Sequence, residues 1–139
     1  MLEQYMLGFW ALLFIIFTLL LQSLIATGAH RKQTQYVPGV VAEKLGHESF
    51  VFRSHRTFQN SLENAPLMLF SGFLAVLVGL NPNWLAATTW VFALARLVHM
   101  VLYYAIATEK NPSPRSYFYI VALLSNLVLL VMIAVHLAG

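Results

Sequence analysis

Cysteine is absent from the 139 residues, and charged side chains make up only 9% of them. The first absence excludes a disulfide framework, a thiolate metal site and a cysteine nucleophile. Any thiol chemistry therefore needs a thiol supplied by a substrate. The second absence excludes an ordinary soluble domain, in which about 25% of residues are charged. There is no glycine-rich phosphate loop and no serine–histidine–acid arrangement. No internal repeat or low-complexity segment is visible. Nothing in the pattern points to nucleic acid, and none is expected as a partner. No cleavable signal peptide is evident, because the first apolar run is too long for one and carries Glu3 where a basic flank belongs.

What is present is apolar sequence: 60% of residues are hydrophobic. A membrane helix needs about 20 such residues, and four segments qualify. The expected spans are 4–29, 53–80, 84–108 and 115–137. The fold class is thus all-α, an integral membrane four-helix bundle, with residues 1–139 as one membrane domain. His30-Arg31-Lys32 ends the first span, and residues 33–52 form a polar connection with room for a short surface helix. Asn81-Pro82-Asn83 signals a tight turn. Trp84 follows at an expected interface belt. Pro112 and Pro114 break the third connection. Arg31, Lys32, Lys44, Arg53 and Arg56 flank the first connection, Lys110 and Arg115 the third, and none the second. By the positive-inside rule both basic connections face the cytoplasm and both termini the other side.

Ionisable residues interrupt the apolar segments. A charge at the bilayer centre costs roughly 2.5–3.5 kcal/mol on insertion scales, so such residues usually face protein or a wet cavity. Arg56, Asn60 and Glu63 share one helix face by their spacing, and Arg96, His99 and Tyr103 share another. Arg115 and Ser116 open the fourth segment, with Tyr119 one turn on. At about 1.5 Å per residue these groups fall in one layer of the cytoplasmic half. Arg96 lies deeper, and its stem is long enough to reach toward Glu63. Each residue also has an ordinary role open to it. A Glu63–Arg96 pair ties helices together, Asn60 and His99 bond between helices, and Arg53, Arg56 and Arg115 anchor at headgroups. Three polar faces at one depth are harder to dismiss. The cluster is cationic and rich in donors, which suits an anion with several carboxylates. One carboxylate and one histidine fall short of a catalytic zinc site.

The run R-S-H-R-T-F-Q-N-S-L-E-N (53–64) resembles the second-helix signature of the MAPEG family, membrane-associated proteins in eicosanoid and glutathione metabolism. R-L-V-H-M-V-L-Y (96–103) resembles its third helix, and P-R-S-Y-F-Y (114–119) the start of its fourth. The resemblance implies a homotrimer with glutathione at the subunit interfaces, open to the cytoplasm. It implies that Asn60, Glu63, His99, Tyr103 and Tyr119 bind glutathione, and Arg56 of the same cationic cluster is expected to bind with them. It also implies that Arg115 and Ser116 stabilise its thiolate and that a basic residue of the neighbouring first helix, His30 or Arg31, completes the pocket. Gln59 stands where some eicosanoid-metabolising members have arginine, and the linker from Tyr103 to Arg115 looks a few residues longer than in the prostaglandin synthase.

The expected function is that of a membrane-embedded glutathione-dependent transferase or peroxidase acting on a lipophilic molecule from the bilayer, in a bacterial inner membrane or the endoplasmic reticulum. Two alternatives stand beside it. One is a non-catalytic lipid-binding scaffold of the same fold. The other is a small proton-coupled transporter using Glu63, Arg96 and His99 as a relay.

Overall fold

The computed structural model describes all 139 residues. A 3₁₀ turn, Leu2–Tyr5, leads into four helices: α1 (Met6–Arg31), α2 (Phe50–Leu77), α3 (Pro82–Ala105) and α4 (Pro114–Ala138). Helices α1, α3 and α4 are long and apolar enough to cross a membrane. The remaining expected span falls on α2, the most polar of the four helices. That helix has the length, at 28 residues, but its first half carries Arg53, His55, Arg56, Asn60, Glu63 and Asn64.

On α1 and α2 the inward faces are narrow and rich in small residues. Helix α1 buries Gly8, Ala11, Ile15 and Gln22, while Leu7, Trp10, Phe17 and Leu24 on its other sides are exposed. A helix apolar all round, with one thin buried stripe, suits a lipid surround. A Cβ on Gly8 would lie 3.0 Å from the Leu85 side chain, so glycine there permits the close approach of α1 to α3. Helix α2 buries Ser54, Thr57, Ser61, Ala65, Met68 and Ala75, again at spacings of three, four and seven. Helix α3 is central, packing on α1, α2 and most extensively on α4. The largest fully buried apolar side chains are Met68, Leu85, Phe92 and Leu129.

The helix ends differ from the sequence expectations, each for a local reason. Helix α2 stops at Leu77 rather than at 80, because Gly79 adopts φ +74°. The Leu80 and Gly79 amides then bond back to the Ala75 and Val76 carbonyls, a Schellman closure. Helix α3 opens with the Asn81 side chain capping the Asn83 amide at 2.9 Å and Pro82 in the first turn. It ends at Ala105 rather than 108, where Arg53 donates through Nε and Nη2 to the Tyr104 carbonyl at 3.3 and 3.2 Å. A guanidinium on the last carbonyls also complements the helix dipole. The connection 33–49 holds turns and a single Val37–Val40 bridge, and no surface helix forms there.

Candidate functional site

At the end of the bundle where α1 and α3 finish and α2 and α4 begin, an open cleft of about 410 Å³ is lined from three helices. Helix α2 contributes Arg56 and Asn60, α3 His99 and Tyr103, and α4 Arg115, Ser116, Tyr119 and Ile120. Asn111 enters from the α3–α4 connection. Seven of the nine residues expected from the sequence thus border one space.

Arg115 is held firmly at its rim. Its guanidinium carbon lies 4.0 Å from the Tyr103 ring centroid, a cation–π contact. Its Nη2 donates to the Thr108 carbonyl at 3.3 Å, so the long α3–α4 connection folds back to hold the arginine. Ser116 belongs to the start of α4. Its Oγ accepts the Ser113 amide at 3.2 Å and pairs with Ser113 Oγ at 3.0 Å in a capping box. A hydroxyl has one proton and two lone pairs. With Ser113 Oγ donating, the Ser116 proton is free to point into the cleft.

Deeper in, His99 is 3% exposed and meets the Tyr103 ring edge-on at 5.7 Å. His99 Nδ1 and Asn60 Oδ1 are buried and have no hydrogen-bond partner within the chain. Buried polar atoms are ordinarily bonded, so these two are suited to a ligand. No group of three or more His, Asp or Glu side chains comes together as a metal site.

Two expected residues lie elsewhere. Glu63 is exposed on α2. It sits two positions from inward-facing Ser61, about 200° round the helix, so it points away from the bundle. That geometry also corrects the expected reach of Arg96 toward Glu63. Arg96 is 5% exposed, and its Nη2 donates to Ser61 Oγ at 2.9 Å. The relay of Glu63, Arg96 and His99 is therefore not assembled within the chain. Arg31 ends α1 and lines a separate cavity of about 460 Å³ with His30, Tyr36 and His55.

His47 was missed by the sequence reading. It comes from the polar α1–α2 connection and lies against Tyr103 and Arg115, with Nε2 3.2 Å from the Tyr103 hydroxyl and 3.3 Å from Arg115 Nη2. Its position is fixed by Arg53, whose Nη1 donates to the His47 and Glu48 carbonyls at 2.7 and 3.1 Å. Glu48 closes the same turn by accepting the Gly46 amide at 3.0 Å, which holds its carboxyl below the usual range. Residues outside any periodic segment give no facing direction, and only a Gly46-His47-Glu48 turn signal was available.

Comparison with known proteins gives one match. Neither a curated protein nor a solved structure matches the chain. The family model described as "MAPEG family" matches residues 7–135. That span contains all four helices apart from short ends, and the chain belongs to the MAPEG family, which includes glutathione-dependent transferases and other members.

Proposed function

We propose that the cleft binds glutathione and that the protein is a glutathione-dependent transferase or peroxidase acting on a lipophilic partner from the bilayer. The observation that carries this reading is Arg115, fixed on the Tyr103 ring above a cleft whose Asn60 Oδ1 and His99 Nδ1 lack partners in the chain. The residues present fit the peptide. Arg56 suits a carboxylate, and Asn60 and His99 suit its amide and amino groups. Glutathione supplies a thiol, whose ionised form is the nucleophile.

The chain's contribution is charge and orientation. Arg115 stays protonated and cannot act as a base. A fixed cation beside a partly desolvated thiol lowers its pKa, by about 1–3 units for close charge pairs. The Ser116 hydroxyl adds a donor at the same place. A groove of about 340 Å³ between α3 and α4 is walled by Trp84, Val91, Val121, Leu124 and Val128. Leu124 follows Ile120 of the cleft by one turn of α4, and Val91 lies two turns from His99 on α3. A lipophilic substrate entering along this groove arrives beneath Arg115.

Assembly as a homotrimer belongs to the same proposal. Glu63 is exposed among Leu62, Leu67 and Phe70, which are exposed too. A carboxylate facing lipid is costly, so this flank of α2 suits a neighbouring copy, whose Arg31 then has a route to the cleft. With both basic connections on the cytoplasmic side, the cleft opens to cytoplasmic glutathione.

The test is a calorimetric titration of the solubilised protein with glutathione, followed by the ultraviolet absorbance of the thiolate. Expected are saturable binding and a thiolate signal at neutral pH. Binding without a thiolate signal favours the lipid-binding scaffold, and no binding removes the proposal.

A further inference from the structure

We propose that His47 is a positioning residue for Arg115, and that it holds the guanidinium over the cleft only as a neutral imidazole. This rests on the glutathione reading above and adds a pH control to the same site. The argument begins with a nitrogen–nitrogen contact. Arg115 Nη2 lies 3.3 Å from His47 Nε2. A guanidinium has donors and no acceptor, so the lone pair must be on His47 Nε2. The Tyr103 hydroxyl, 3.2 Å from the same nitrogen, also has a proton to give it. The ring proton of the neutral form is therefore on Nδ1, which faces Glu109 Oε1 at 3.8 Å.

The ring is placed for this task by packing. It stacks on Tyr103 with centroids 5.9 Å apart and planes 16° from parallel, and Phe52 meets it edge-on at 4.9 Å. Arg115 and His47 thus share one platform, the Tyr103 ring, and touch each other beside it. His47 itself does not border the cleft, so its influence passes through Arg115.

A second proton changes the contact in kind. An N–H at Nε2 would oppose the Arg115 N–H, and two cations would stand side by side. Arg115 would keep the Tyr103 face and the Thr108 carbonyl but lose its third support. Charged groups on every side bear on this step. They are Glu109 from the α3–α4 connection, Glu48 from the same turn, Arg115 on α4 and Arg53 on α2. The side chain is 23% exposed, so protons reach it from solvent.

Two variants of the full chain test this. Glutamine at position 47 offers an amide oxygen where Nε2 stands and stays neutral, whereas alanine offers nothing. The readouts are the thiolate fraction of bound glutathione from about pH 5 to pH 8, the range in which imidazoles change charge, and glutathione affinity by calorimetry. For His47→Ala the expected result is a thiolate fraction lowered about tenfold at neutral pH, with affinity within about twofold of wild type. For His47→Gln the expected result is the wild-type thiolate fraction at pH 8 and a shallower fall toward acid. His47→Ala matching wild type at every pH overturns the proposal, as does a His47→Gln profile that superposes on the wild-type one. Wild-type protein that binds no glutathione, or binds it without a thiolate signal, instead overturns the reading on which this proposal rests.

Discussion

Arg96 and Arg115 lie on successive helices of one bundle, and the fold treats them oppositely. Arg115 stands at the rim of a 410 Å³ cleft, supported by a ring, a carbonyl and an imidazole, with its remaining donors unspent. Arg96 is sealed beside Ser61 and Gln22 in a space of about 10 Å³. Gln22 is 1% exposed and neither of its amide atoms has a partner within the chain. In the sequence Arg96 lies deep in one apolar segment and Arg115 opens the next. What separates them is room. Of the two, only Arg115 has room for a glutathione-sized ligand, whereas Arg96 ties α3 to α2 through Ser61.

The largest expected effect sharpens this contrast. Arg115→Ala should lower turnover of a model electrophile by about 10²–10³-fold, the scale of losing one preorganised charge-stabilising donor. Steady-state conjugation kinetics check it, with assembly confirmed by the elution volume in detergent. A variant with unchanged turnover would remove Arg115 from the chemistry. The next effect falls on the other arginine. Ser61→Ala takes away the acceptor that Arg96 uses, leaving a buried donor unmatched at about 1–3 kcal/mol. Unfolding in detergent should shift by that amount while activity per folded molecule holds. A third, smaller effect returns to the cleft. Asn60→Ala should weaken glutathione binding by up to about tenfold, one neutral hydrogen bond's worth, with kcat nearly unchanged. Calorimetry and kinetics measured together separate the two.

The contrast also marks what could be read from residues alone. Helices α1, α3 and α4 follow from apolar length, and the α2–α3 turn from Asn81-Pro82-Asn83. Periodicity put Arg56, Asn60 and Glu63 on one flank, which the fold preserves. It did not say which flank of α2 turns inward. That was decided by Ser54, Thr57 and Ser61, whose small size suits close helix packing but whose polarity disguised them as surface. Glu63 consequently points out, and Arg96 finds a serine where a carboxylate was expected. His47 was illegible for another reason. It lies in a connection without period, and its place on Tyr103 depends on Arg53 reaching its carbonyl.

The smallest expected effect is the one that best tests the division of labour. Arg96→Met replaces a buried cation by a flexible apolar chain two atoms shorter. Removing one partner of a buried ion pair is costly, but Arg96 has no ion partner within the chain, so no opposite charge is left stranded. Ser61 loses only a donor to its oxygen, and its hydroxyl can turn to a backbone carbonyl one turn back, as Thr57 does to Arg53 at 2.8 Å. Exchanging buried charges for well-packed apolar groups is often neutral or stabilising by about 1–4 kcal/mol. The variant should therefore unfold no earlier than wild type and turn over within about threefold of it. A loss comparable to that of Arg115→Ala would mean that Arg96 acts on the cleft through His99, which it lies beside on α3, and the separation by room would have to be abandoned.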